Sequence, residues 1–463
     1  MTATASPPPV ERIGAVRWIR SNLFPDVRSG ILTVILIPVI GYLGYRVLLF
    51  LFVNADWEAV ERNLTLFMQG TFPRDQQWRL VTQIILFALA LGVGVGTSSS
   101  TARDRALESG LPYQRQRPLS VIRRFWSVIG FVLLLLYFTA TITPWLVTLG
   151  AVVAFLVGLQ GYWLPAALRL YGWLIMSLLL IAGFQVVSGT TGRAWVVTVI
   201  VVGIGTWNLT RSDRIAPGWR TWALKTVAVL VASVVVFLFY SAFPIAGIGW
   251  DEWSGLHLTL WVSALAIILS FPIGLLLALA RRSSLPALRL LATTYIELIR
   301  GVPLIALLFM GQYVVGFLFP AGTTLSNLTR AIAVFTVFTS AYVAEIVRGG
   351  LQSLPPGQIE AGQALGLSPP SVIRLVVLPQ ALRAVIPAMV GQFISLFKDS
   401  SLLSIVAIVE FLGVRSLIHA QPDFQVTAHA ETLVFVALGY WAISFAMSRE
   451  SQRLEGRLRV GAS

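Results

Sequence analysis

Few residues of this 463-residue sequence are of types that do chemistry, and the most conspicuous stand where water is scarce. Lys398 and Asp399 lie in a long apolar run entered after Pro387. An isolated charge there costs at least about 2.5 to 3.5 kcal/mol, so both must face protein or a water-filled path. Lysine occurs elsewhere only at Lys225, so a lysine at this depth is not compositional drift. Two roles stay open for the pair: an ion pair that pins a broken helix, which is preferred, or a lining of a solute path that meets zwitterions. Glu297 and Arg300 share a helical face at i and i+3, as do Glu345 and Arg348. Gly301 and Pro303 would kink the helix beside the first pair, and charges next to a helix break can hold or gate a solute in a membrane. The preferred plainer reading is interfacial charge that snorkels to water and pairs locally.

Other chemistries find no residues to carry them. Cysteine is absent, which removes disulfides, thiolate metal sites and a cysteine nucleophile. The three histidines, His257, His419 and His429, match no metal-ligand spacing. Gly92, Gly94 and Gly96 lie inside an apolar span without the spacing of a nucleotide loop, and a small face for close helix packing is the better account. Neither lysine follows a phosphate-loop glycine pattern, so no route to bind ATP is visible and no cofactor is expected.

The elements that must position these residues are read from composition. Hydrophobic residues make up 56% of the chain and charged ones 12%. Apolar stretches of about 18 or more residues recur, each long enough to cross a bilayer as a helix. The expected fold is an all-α polytopic integral membrane protein of about twelve transmembrane helices. Spans are expected near 30–53, 80–98, 125–143, 145–163, 168–188, 194–209 and 222–242. Five more follow near 256–280, 293–319, 328–347, 384–409 and 428–448. The net charge of +14 comes from arginines in short loops, as the positive-inside rule requires, and leaves no continuous basic surface for nucleic acid. Arg103, Arg105, Arg115, Arg117, Arg123 and Arg124, then Arg211, Arg214, Arg220 and Lys225, mark cytoplasmic loops. Residues 54–78 then fall outside, and both termini inside; the N-terminal run reads as an uncleaved anchor. The chain is expected to divide into a cytoplasmic segment 1–29, an N-terminal extension of about seven helices over 30–245, a membrane domain over 256–450 and a cytoplasmic tail 451–463.

Between the third and fourth spans of the second half lies a polar-rich segment, Arg348 to Arg383, punctuated by Pro355-Pro356-Gly357 and Pro369-Pro370. Local chemistry predicts two short helices here: Gly366 sits where a left-handed cap is needed, and Ser368-Pro369 fits an N-cap followed by proline at the first position. Within it, Glu360-Ala361-Gly362, three residues, Gly366, nine residues, then Val376-Val377-Leu378-Pro379 resembles the cytoplasmic coupling loop of ABC importer permeases, E-A-A-x3-G-x9-I-x-L-P. Two positions depart from it, Gly362 for the second alanine and Val376 for isoleucine, and both changes are conservative. Tyr295 to Leu304, Ala341 to Gly350 and Lys398-Asp399-Ser400-Ser401-Leu402 sharpen the resemblance toward the polar amino-acid subclass, over roughly residues 256 to 450. The long extension is similar in layout to the general L-amino-acid subgroup.

The resemblance implies a five-helix permease core in the bacterial inner membrane whose coupling loop, with Glu360, Ala361, Gly362, Gly366, Leu378 and Pro379, docks on a separate pair of ATPase subunits. It further implies a second permease subunit, a periplasmic or extracellular binding protein, an amino acid as the solute, and alternating access. Glu297, Arg300, Pro303, Lys398 and Asp399 are then candidates for the pathway or gate. A secondary transporter would instead show two related halves, which are not seen. A polytopic membrane enzyme would need acids or a nucleophile gathered in a large outside loop, and Asp56, Glu58, Glu61 and Asp75 are scattered.

Overall fold

The computed structural model describes residues 14–108, 144–163, 169–189, 247–320, 325–425 and 428–460. Most of those residues are helical, and among them a single isolated bridge joins Gly255 and Glu410. Among them seven helices are long and apolar enough to cross a membrane: Val27–Asn54, Arg74–Thr101, Trp145–Trp163, Gly255–Arg281, Asn327–Gln352, Pro369–Val406 and His429–Arg453. Pro286–Gly301 and Leu304–Leu318 reach the same length and apolarity only together, as a pair bent by 105°. The spans expected near 125–143, 194–209 and 222–242 lie outside the described residues. The segment near 168–188 is helical, although its apolar part, Ile175–Ser188, is short for a crossing.

Two units can be distinguished, one up to Ala59 and one from Val60. In the first, α1 (Ala15–Leu23) is followed by α2 (Val27–Leu49). Asp26 caps α2, accepting from Ser29 N at 2.8 Å, and burial has no part in lowering its carboxyl below the usual range, which follows from the backbone and hydroxyl donors of Ser29. No side chain of α2 is buried within the chain, as suits a helix whose apolar surface is solvated by lipid.

The second unit begins within α3 (Glu58–Arg62); α4 (Leu64–Gln69) then leads into α5 (Gln77–Glu108), which packs with α6 (Pro144–Gly158) and α7 (Arg169–Ser188). The α5–α6 contact is made by glycine: a Cβ on Gly92 would lie 2.3 Å from the Phe155 carbonyl oxygen, and one on Gly158 2.4 Å from that of Leu89. The glycine run of α5 is thus a helix-packing face, as its sequence context indicates.

The remaining helices are α8 (Gly255–Arg281), α9 (Pro286–Gly301), α10 (Leu304–Phe309), α11 (Asn327–Gln352), α12 (Gly357–Ala364), α13 (Pro369–Val372), α14 (Leu378–Asp399), α15 (Val414–His419) and α16 (His429–Val460). Small residues again set the approach, since a Cβ on Gly274 of α8 would meet the Ser340 carbonyl of α11 at 2.7 Å. Two apolar cores result. One joins Ala278, Ile296, Val347, Val372, Val377 and Val385 at the end of the bundle that carries the α12–α13 loop. The other, at the opposite end, joins Trp253, Leu258, Phe335 and Leu403 to Phe72, Leu80 and Phe184 of the extension.

Candidate functional site

The loop between α11 and α14 has the local geometry its residues predict at two points, Gly366 and Ser368-Pro369. Gly366 adopts φ +76°, a left-handed value that costs a Cβ-bearing residue energy, and Leu367 N donates to Gly362 O at 3.2 Å, closing α12 with a six-to-one bond. Ser368 sits at the N-cap of α13 with Pro369 next. Gly362 is buried, and a Cβ there would lie 3.0 Å from Val372 Cγ2, so the glycine brings the two arms of the loop together. Glu360 and Ala361 stay exposed, and Leu365 presents 81% of its surface.

The second arm differs from expectation. It is not a short separate helix: α13 passes through a π-helical turn, Ile373–Val377, straight into α14, making one helical stretch over Pro369–Val406. Leu378 N donates back to Ile373 O across the widened turn, and Pro379, which has no N–H to give, follows where the ordinary ladder is already interrupted. Gln380 secures the junction by donating to Val376 O at 3.0 Å and to Gln358 Oε1 of α12 at 3.2 Å. Leu378 and Pro379 thus belong to the foot of a membrane helix. Pro387 lies within α14 and does not begin it.

At the same end of the bundle the charged residues form a cluster over three helices. Glu345 of α11 pairs with Arg348, whose Nε lies 2.9 Å from Oε1, as the i, i+3 spacing predicts. Its Oε2 also meets Arg281 of α8 at 3.2 Å and Arg300 of α9 at 3.9 Å. Glu297 pairs with Arg281 at 2.7 Å; among the described residues no ion pair joins it to Arg300, which instead reaches across to Glu345 and lies 5.6 Å over the Tyr342 ring. Arg281 was missed by motif reading; its only signal was a basic pair, Arg281-Arg282, at the end of a span. Pro303 stands at the break between α9 and α10, beside this cluster in sequence.

Lys398 and Asp399 end α14, where the helix tightens into a 3-10 stretch, Ser400–Val406, that closes on Ala407 at φ +59°. The helix tightens next to them and ends only at Ala407, and no ion pair joins the two, because successive residues point about 100° apart on a helix. Lys398 is exposed on the chain and Asp399 partly buried. Neither lies with the Glu345 cluster.

A further polar group, unmarked by any motif, sits at the opposite end. Glu410 is fully buried; its Oε1 accepts from Gly413 N at 2.7 Å and its Oε2 from Leu412 N at 2.7 Å and Tyr440 Oη at 2.8 Å. Burial pushes its carboxyl up to about 7, against the pull of these donors. The Tyr440 hydroxyl also lies 3.3 Å from Ser400 Oγ, next to Asp399. A carboxylate between the apolar pairs Ile408-Val409 and Phe411-Leu412 was the only available signal. Nearby, the His419 and His429 rings stand 3.9 Å apart, and burial, then His429 and Arg415, holds the His419 imidazole below its usual range.

A family model described as "Binding-protein-dependent transport system inner membrane component" matches residues 270–460. The chain is similar to the inner membrane amino-acid ABC transporter permease protein YhdY of Escherichia coli K12, 42% identical over 235 residues, which are 50% of this chain and 64% of that one. With the glutamate/glutamine/aspartate/asparagine transport system permease protein BztC of Rhodobacter capsulatus it shares 40% over 222 residues, 47% of this chain and 51% of that one. The chain therefore spans less than two thirds of the length of these two relatives. With the "Probable glutamine ABC transporter permease protein GlnP" of Bacillus subtilis it shares 36% over 205 residues, 44% of this chain and 92% of that one. A solved structure, "Crystal structure of an amino acid ABC transporter with histidines", matches 44% of this chain and 92% of its own at 30% identity and a TM-score of 0.40.

Proposed function

The chain belongs to the family of binding-protein-dependent transport system inner membrane components, and from that premise we propose that it is the membrane-spanning permease subunit of an ATP-driven ABC importer for amino acids. The observation that carries this reading is the loop at Gly357–Val377. An exposed helix is tied through Gly362, Val372 and Gln380 to one unbroken helical stretch entering the membrane. Force applied at α12 by a partner is therefore delivered to α14 along a stiff rod rather than absorbed in a flexible linker. In this reading the partner is a pair of ATPase subunits, and their closure on ATP turns the membrane helices. The amino-acid permease names of YhdY, BztC and GlnP support the solute class. A binding protein delivers the solute from outside, and a second permease subunit completes the pathway in the inner membrane. The basic loops set both termini and the coupling loop in the cytoplasm.

The Glu345 cluster then stands at the cytoplasmic end and acts as an ion latch between α8, α9 and α11. Arg281 bridges Glu297 and Glu345 while the bend at Pro303 lets α9 and α10 shift relative to each other. Lys398 and Asp399, where α14 tightens into the 3-10 stretch, line the path.

The test is purification of the tagged chain from native membranes in mild detergent, with mass-spectrometric identification of its partners, for the native sequence and for Glu360→Arg. An ABC ATPase retained by the native chain and lost from the variant is the expected result. No ATPase under conditions that keep other membrane complexes intact would overturn the importer reading in favour of a secondary transporter. The latch has its own test: amino-acid uptake unchanged in a Glu297→Gln, Arg300→Gln double variant that assembles normally would sink it.

A further inference from the structure

Family membership leaves the long N-terminal extension unexplained. GlnP is accounted for almost wholly by its match, at 92% of its length, so that relative has no room for a comparable segment before the permease domain. The extension touches the domain at the end opposite the coupling loop, and the contact has an unusual construction. Ser254 occupies the N-cap position of α8, where a serine ordinarily accepts from its own helix, but it makes no such bond. Its hydroxyl accepts from Thr71 N at 2.6 Å instead and lies 3.0 Å from Thr71 Oγ1. Gly70 and Gly255 face each other there, both at positive φ; a Cβ on Gly70 would lie 2.0 Å from Ser254 Oγ, and one on Gly255 2.8 Å from Gly70 N. Backbones can approach so closely only because neither residue has a side chain.

Around this point the contact is dry and branched. Phe67 is fully buried, its ring centroid 4.7 Å from that of Phe435 on α16 and 6.0 Å from that of Phe411, the neighbour of Glu410. Asn63 Oδ1 accepts from Gln421 Nε2 at 2.8 Å beyond α15. Deeper along α5, Gln83 accepts from His257 Nε2 of α8 at 3.2 Å while donating to Gly183 O of α7 at 3.1 Å, which fixes the tautomer of the one and the amide orientation of the other. Sliding would break all of these together and leave buried donors and acceptors without partners, so the contact has one stable arrangement.

We propose that the segment Val60–Phe72 is a permanent clamp: it locks the start of α8, the 410–424 loop and the start of α16 into one block, which stays closed throughout the transport cycle. This end then moves as a rigid unit, and the rearrangement that admits or releases solute occurs on other surfaces. The part concerning the cycle rests on the importer reading above; the existence of the clamp does not.

The absence of cysteine makes the test clean. Thr71→Cys and Ser254→Cys place two sulfurs where the native hydroxyl oxygens are 3.0 Å apart, a separation from which a disulfide can close. The full chain, carried with its partners in membranes, is oxidised with copper phenanthroline, and residual thiols are counted by the gel shift with a polyethylene-glycol maleimide. Amino-acid uptake is then measured before and after reduction. The clamp predicts near-complete loss of thiols and uptake within about threefold of that after reduction, since a contact that stays shut gates nothing. Thiols that remain free show that the contact does not exist, and uptake suppressed beyond that range and restored by reductant shows a moving gate; either overturns the proposal. Absence of uptake in the reduced protein counts against the importer reading alone, because the thiol count still tests the contact. Should this pair fail to fold, Asn63→Cys with Gln421→Cys, bridged by a short bis-thiosulfonate, reads the same block with the same two outcomes.

Discussion

The two ends of the membrane domain are built on opposite principles. At the coupling-loop end, Glu345, Arg281, Arg300, Arg348 and Glu297 meet across three helices with their side chains partly in water, Glu297 at 55% exposure. Each such pair is worth little and is easily exchanged for hydration. At the other end Gly70 lies against Gly255 and Phe67 is sealed between Phe411 and Phe435. Wet ion pairs can reassemble at small cost, whereas a close-packed contact without side chains is either made or lost. Under the proposed latch and clamp, the polar end is the one that moves and the glycine and aromatic end the one that holds.

The sharpest way to break that contrast is Gly70→Val. At φ +58° with Ser254 Oγ 2.0 Å from a Cβ, it should cost about 3 kcal/mol or more and lower the thermal unfolding midpoint in detergent strongly; an unchanged midpoint would remove the dry contact from consideration. Next is Glu410→Gln, in which an amide nitrogen would face backbone N–H donors, for an expected loss of about 1 to 3 kcal/mol. This substitution also tests a pH dependence. The folded carboxyl holds its proton up to about 7 against an ordinary 4.5, so the protonated group adds stability below pH 4.5 that is lost as pH rises through 7. The Glu410 contribution should fall over that window by about 3 kcal/mol at most, and that component of the slope should be absent in the variant.

Effects at the coupling-loop end should be smaller. Glu345→Gln leaves three guanidinium groups without their shared anion, but in a partly hydrated site, and should cost about 1 kcal/mol or less, a difference that shrinks as salt is raised. A loss as large as that of Gly70→Val would mean that this end is as rigid as the other. Gly362→Ala, which restores the residue common in coupling loops, should have the smallest effect, under about 1 kcal/mol, because Val372 Cγ2 at 3.0 Å need give by only a few tenths of an ångström.

Features that depend on a few neighbouring residues were legible in the chain. Apolar runs marked the crossings among the described residues, Gly366 the left-handed cap, Ser368-Pro369 a helix start, Glu345-Arg348 a local pair and Gly92-Gly94-Gly96 a packing face, since each follows from backbone geometry or from i, i+3 spacing. Fusion of α13 with α14 was not legible: Pro369-Pro370 and Pro379 punctuate the sequence, yet burial of Val372 and Val377 in the core favours a continuous helix through a widened turn. Nor was the choice of partners across the bundle. Tertiary packing gave Glu297 to Arg281 rather than Arg300 and turned the Ser254 hydroxyl from its own helix to Thr71, 183 residues away. Local propensity describes what one residue can do; which of several equivalent partners it takes is decided only when distant helices are brought to the same depth.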